Sequence, residues 1–84
     1  METVIVEDRG NYLLLARGEH FAVVEKRNGQ LYNCHDERRD GIAADELSRV
    51  TQIVDEQDWV DKSTARAALE EAVARWTELA ERMR

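Results

Sequence analysis

Short apolar runs alternate with polar, glycine-containing segments through the first 36 residues. These runs are rich in valine, leucine, tyrosine and phenylalanine, and they cover residues 3–6, 12–16, 21–24 and 31–34. Runs of this composition, separated by Gly, Asn and Asp, are typical of strands joined by tight turns. The connections are too short for crossovers, so neighbouring strands must be antiparallel. The pattern predicts a four-stranded antiparallel β-meander over residues 1–36.

Turn chemistry suggests a register for this meander. Asn28 and Gly29 both tolerate the positive φ of a type I′ turn, which is the turn that joins strands through two residues. We expect two-residue loops at Arg9-Gly10, Gly18-Glu19 and Asn28-Gly29. Leu14 then lies opposite Ile5 and Val23, and Val23 lies opposite Cys34.

The last third of the chain has helical periodicity. Apolar residues recur there at three- and four-residue steps: Ala65, Ala68, Leu69, Ala72, Val73, Trp76, Leu79, Ala80 and Met83. One apolar stripe of this kind predicts a long amphipathic C-terminal α-helix over residues 61–83, of which residues 64–83 span roughly 30 Å. Asp61 and Ser63 suit its N-cap. Glu71 with Arg75 and Glu78 with Arg82 are favourable pairs on its exposed side.

The middle of the chain, residues 42–55, has a weaker pattern. Ala43, Leu47, Val50 and Val54 fit a second amphipathic helix that begins near Gly41. The composition of residues 50–55 also suits a fifth strand. We therefore expect an α+β fold in which four strands are followed by two α-helices, with residues 50–55 open between helix and strand.

Side-chain alternation makes both faces of the predicted sheet apolar, whereas many antiparallel sheets leave one face polar. The first predicted face carries Ile5, Tyr12, Leu14, Ala16, Phe21, Val23, Tyr32 and Cys34. The second carries Val4, Val6, Leu13, Leu15, Ala22, Val24 and Leu31. The C-terminal helix can cover one face, and its predicted length exceeds that of the strands, so part of its stripe should overhang.

The other face needs the middle helix, a second copy of the chain or a different protein. An uncovered apolar face usually marks an interface. We expect a homodimer, formed through that sheet face or through the C-terminal helix, or else another protein partner. The candidate interface residues are Leu13, Leu15, Val24 and Trp59.

Composition narrows the classes of function. Eighty-four residues form a single domain, and the formal net charge of −6 disfavours nucleic acid and anionic membrane surfaces. No run reaches the ~20 apolar residues of a membrane helix. Cys34 is the only cysteine, which excludes an internal disulfide and is typical of a reducing compartment. We expect a soluble cytoplasmic protein.

Reactive side chains concentrate around His20 and residues 33–37. In the register above, Glu37 lies opposite His20, and His35 and Arg17 lie beside them. Two imidazoles and a carboxylate suit zinc or non-haem iron, and Arg17 with a protonated histidine suits a small anion. A one-residue slip at the Asn28-Gly29 turn would instead group His20 with Cys34 and Asp36, as in thiol catalysis.

No catalytic or cofactor motif occurs in the sequence. Its four glycines are spaced as residues of turns and form no phosphate-binding pattern. The sequence therefore favours a non-catalytic protein-interaction domain that self-associates and needs no cofactor. The alternative is a protein that binds a small molecule or a metal through Arg17, His20, His35 and Glu37.

Overall fold

Within residues 2–36 and 38–83, which it describes, the computed structural model contains a five-stranded antiparallel sheet and one long C-terminal α-helix. Neighbours in the chain are neighbours in the sheet, so the strands form a meander. The strands are β1 Thr3–Asp8, β2 Tyr12–Arg17, β3 His20–Arg27, β4 Gln30–Asn33 and β5 Ile42–Ala43, and the α-helix is α1 Lys62–Arg82. The predicted α+β class, with its antiparallel sheet and long last helix, is confirmed.

Two of the three predicted hairpin loops are confirmed. Arg17 pairs with His20 and Arg27 pairs with Gln30, so each of these hairpins turns through two residues. Asn28 and Gly29 have φ values of 51° and 78°. Both angles are positive, as a type I′ turn requires. The slip at this turn, which would regroup His20 with Cys34, does not occur.

The predicted register of the first hairpin is wrong. Asp8 pairs with Leu13, and the amide of Arg9 donates to the carbonyl of Tyr12 at 2.9 Å, so the chain turns at Gly10 and Asn11 and not at Arg9 and Gly10. A β-bulge between Ile5 and Glu7 then shifts the pairing, and Ile5 lies opposite Leu15 instead of Leu14. A bulge reverses the alternation of side chains between the two faces of a strand. Ile5 therefore lies on the face of Leu15 and not, as predicted, on the face of Leu14.

The predicted α-helix over residues 42–55 is also wrong. This segment contains β5 and a 3₁₀-helix, Leu47–Gln52, and a second 3₁₀-helix follows at Glu56–Asp58. Gly41 explains the start of the segment, because a Cβ atom there would lie 2.7 Å from the carbonyl oxygen of Leu31. This close approach lets Ile42 pair with Leu31, so the chain enters the sheet where a helix was expected.

The middle segment covers the second apolar face of the sheet. Leu13, Leu15 and Val24 on that face are buried. The cluster they form is completed by Ala22, Leu31, Ile42, Val50, Ile53 and Val54, with Ala44, Leu47 and Trp59 packed against it. Three of the candidate interface residues are therefore core residues of the same chain, and Trp59 is half-buried beside them.

Helix α1 covers the other face. Ala65 and Leu69 are buried against Leu14, in a cluster that also contains Tyr12, Phe21, Val23, Val60 and Val73. The helix begins after Asp61, whose carboxylate accepts hydrogen bonds from the Thr64 amide and from the hydroxyls of Ser63 and Thr64. These bonds lower the pKa of Asp61 to about 2.

The packing of α1 ends before the helix does. Its buried residues, Ala65 and Leu69, lie in the first half, and the second half extends past the sheet. The molecule is accordingly elongated, with extents of 42 × 26 × 20 Å. Within the described part of the chain, none of the helices combines the length and the hydrophobicity that a bilayer span requires. The cytoplasmic location stays a prediction.

Candidate functional site

Strand β4 ends too early to build the predicted histidine cluster. Its pairing with β3 stops at Asn33, opposite Val24, and the chain then turns. Val60 takes the vacated edge of β3 by exchanging hydrogen bonds with Phe21, at 2.7 Å and 2.8 Å. The Asn33 side chain accepts from the amide of His35 at 2.7 Å, which holds the turn. The continuous strand that would have placed His35 opposite Ala22 is absent here.

Arg17 and His20 are nevertheless brought together. They line one cleft of about 350 Å³ with Glu56 and Trp59. His35 lines different cavities, between the sheet and α1. Glu37, the remaining member of the predicted ligand set, lies outside the described residues.

The cleft has few metal ligands. Among the described residues, no three His, Cys, Asp or Glu side chains are grouped so that they could hold a metal ion. His20 and Glu56 supply two donors, whereas zinc sites use three or four protein ligands. Arg17 has no ion-pair partner in the described part of the chain, although Arg9, Arg27, Arg39, Arg49, Arg66, Arg75 and Arg82 each have one. The cleft therefore offers one guanidinium that has no ion-pair partner among the described residues, together with one imidazole, one carboxylate and one indole.

Cys34 lies on the other side of the sheet from this cleft. Its thiol donates to the carbonyl of Val23 at 3.3 Å and is half-buried in the groove beside α1. Burial raises the pKa of Cys34, and the negative charges of Asp58 and Glu25 raise it further. A thiol with a raised pKa stays protonated near neutral pH and is a poor nucleophile. The environment of Cys34 is that of a structural thiol.

The second half of α1 exposes large apolar side chains. Trp76 is 49% exposed, Leu79 53% and Met83 86%. These three residues, which we call the distal face of α1, continue the stripe that buries Ala65 and Leu69. Isolated exposed apolar residues are ordinary, but a contiguous set is not.

A groove of about 340 Å³ adjoins the distal face, between the second half of α1 and the ends of β2 and β3. Its apolar lining includes Tyr12, Val23, Ala72 and Trp76, and its rim includes the charged side chains of Glu25, Glu71 and Arg75. An apolar floor with a charged rim is the usual anatomy of a protein-binding surface.

Ion pairs follow one flank of the distal face. Arg75 donates to Glu71 at 2.6 Å, and Arg82 donates to Glu78 at 2.6 Å. All four side chains are exposed. We call this set the flank ladder; along the helix its charges alternate in the order negative, positive, negative, positive.

A second exposed apolar set lies on β1, which is an edge strand. Val4, Ile5 and Val6 are exposed there. The bulge between Ile5 and Glu7 interrupts the free edge, and Glu7 is engaged by Arg66 of α1. Bulges and charged neighbours are devices that protect strand edges from pairing with other chains. This edge is therefore a poorer docking surface than the distal face.

The candidate interface residues predicted from the sequence did not include the distal face. Periodicity predicts the apolar stripe, but it does not say which part of the stripe meets the sheet. The sequence signal for the distal face is the length of the helix. A helix of roughly 30 Å is longer than strands of about 20 Å, so one end of it must extend beyond the sheet. Comparisons of this chain with family models, with curated proteins and with solved structures gave no match.

Proposed function

We propose that this chain is a non-catalytic protein-interaction domain that self-associates through the distal face of α1. The observation that carries the proposal is the exposure of Trp76, Leu79 and Met83 on one stripe. The chain itself covers both faces of β2 and β3, and the exposed residues of β1 lie on an interrupted edge, so we favour the helix over the sheet as the contact surface.

Burial of this surface would supply the driving force. Covering one large apolar side chain contributes about 1.5–3 kcal/mol when burial is complete. The distal face offers three such side chains, and Trp and Met are enriched in interface cores. A second copy brings an identical surface, so one two-fold contact covers both faces at once.

Solution mass tests the proposal. Size-exclusion chromatography with light scattering over a tenfold concentration range should give a dimer, twice the 9.7 kDa of one chain. Leu79→Glu places a charge in the contact and should return the protein to a monomer. Ala74→Glu is the matched control, because Ala74 is an exposed residue of the same helix away from the stripe. A monodisperse 9.7 kDa species at high concentration would refute self-association.

A second candidate function is small-molecule binding in the cleft that contains Arg17, His20 and Trp59. It is supported by the guanidinium of Arg17, which has no ion-pair partner within residues 2–36 and 38–83 and lies beside an imidazole and an indole. The version that uses His20, His35 and Glu37 as metal ligands is less favoured, because His35 lines a different groove.

Thermal unfolding separates this candidate from the first. A bound ligand raises the melting temperature by mass action. Small carboxylates, phosphate, Zn²⁺ and Fe²⁺ are the probes, and a chelator should reverse any effect of the metals. His20→Ala should abolish a genuine rise, whereas His35→Ala, the matched control, should leave it. If none of these probes raises the melting temperature, small-molecule binding loses its support.

A further inference from the structure

We infer that the second copy docks antiparallel on α1, so that the two flank ladders face each other with opposite charges. This inference rests on the proposed self-association and adds the orientation of the partner. It follows from the order of charges in the ladder and from the position of the distal face beside it.

In the flank ladder, two residues at equal distances on either side of its midpoint carry opposite charges. Its members, Glu71, Arg75, Glu78 and Arg82, are spaced evenly about a point midway between Trp76 and Thr77. A two-fold axis through that point places Glu71 opposite the second copy's Arg82, and Arg75 opposite its Glu78. Every charge then faces its opposite, which gives complementarity without any change in sequence.

Only the antiparallel arrangement brings the ladders together. A two-fold axis perpendicular to two antiparallel helices keeps the same flank of each helix on the same side, so ladder meets ladder. In a parallel pair, the axis runs along the helices, and each ladder faces the opposite flank of its partner. Beside the distal face, between residues 71 and 83, that flank carries Val73, Thr77 and Ala80, which are uncharged.

The apolar residues fit the same arrangement. Trp76 lies next to the axis, where it meets the Trp76 of the second copy. Leu79 and Met83 follow Trp76 along the stripe, and Met83 reaches toward the partner's groove, which Tyr12 and Ala72 line. The most exposed apolar side chain, Met83, thereby gains a site in the groove, and the two sheets lie at opposite ends of the dimer.

A charge-inverted chain tests the orientation. The variant carries Glu71→Arg, Arg75→Glu, Glu78→Arg and Arg82→Glu, which leaves the net charge and both ion pairs within the helix in place. In the variant, positions 71 and 82 and positions 75 and 78 still carry opposite charges, so the variant should form dimers with itself. Mixed with wild type, it opposes like charges at every ladder position, which disfavours the mixed dimer.

The readout is native mass spectrometry of the variant mixed with ¹⁵N-labelled wild type. In an equimolar mixture, random exchange makes about half of all dimers mixed. We expect the mixed share to be several-fold lower, because like charges oppose each other in the mixed dimer. Glu46→Arg with Arg49→Glu inverts an exposed pair away from α1 and is the matched control. That variant should exchange at random with wild type.

The outcomes are distinguishable. A monomeric wild type refutes self-association itself. A dimeric wild type that mixes at random with the inverted variant leaves self-association standing and overturns the antiparallel arrangement, as does an inverted variant that folds but stays monomeric. If the inverted variant fails to fold, Arg75→Glu with Glu78→Arg repeats the test with the central pair alone.

Discussion

The side-chain amide of Asn33 donates a hydrogen bond of 2.7 Å to the main-chain carbonyl of Ile53. Asn33 is only 5% exposed, and it joins the end of β4 to the segment that covers the sheet. Arg39 donates to the same carbonyl at 3.1 Å and forms a two-bond fork with Asp55. This small network holds residues 38–55 over the second face of the sheet, and this is the segment for which the sequence pattern was the least informative.

Replacing Asn33 should destabilise the protein. Asn33→Asp keeps an acceptor for the His35 amide but cannot donate to Ile53, and it buries a charge. We expect a loss of about 1–3 kcal/mol in the free energy of unfolding, measured by urea denaturation at pH 7. Asn28→Asp is the control, since Asp also suits a type I′ turn and should change stability by no more than ~0.5 kcal/mol. Equal effects of the two substitutions would contradict the role of the Asn33 bond.

Gly41 tests the close approach of β5 to β4. A Cβ atom at this position would lie 2.7 Å from both the Leu31 carbonyl oxygen and the Tyr32 ring. Backbone cannot move aside as a flexible side chain can, so Gly41→Ala should cost about 1–3 kcal/mol through overpacking. Thermal unfolding of this variant beside Asp40→Ala, an exposed neighbour, gives the comparison. The prediction fails if Gly41→Ala is as stable as wild type.

The N-cap of α1 makes stability depend on acidic pH. The pKa of Asp61 is about 2 in the native protein, below the value of about 3.9 that an unfolded Asp has. Between these values the unfolded chain binds the proton and the native chain does not, so stability falls as the pH falls. The full contribution is present once the pH is above about 5, where the unfolded chain is also deprotonated.

Asp61→Asn isolates this effect. Asparagine also caps helices but does not titrate, so the variant should fold at pH 7 and lose less stability than wild type between pH ~4 and ~2. Melting temperatures measured in steps across this range provide the test. Parallel curves for variant and wild type would show that Asp61 is not a source of the acid dependence. Asp55, whose pKa is lowered by its hydrogen bonds to Arg39, titrates in both proteins and does not affect the comparison.

The sequence by itself determined the local elements. Positive φ at Asn28 and Gly29 closes a two-residue hairpin whatever surrounds it, and the register of β3 with β4 follows. The periodic stripe and the Asp61 cap likewise specify α1, because both act within a few residues of the chain. The two-faced sheet was also correctly predicted for β2, β3 and β4, since alternation along a strand needs no distant information.

Only the tertiary structure decided where distant segments meet. Strand β4 ends at Asn33, Val60 pairs with Phe21 on the edge that β4 leaves, and His35 lies apart from Arg17 and His20. The bulge in β1 and the entry of Ile42 into the sheet likewise depend on partners that no local pattern identifies. The exposure of Trp76 depends on where the sheet stops beneath α1, and long-range packing, not helical periodicity, sets that limit.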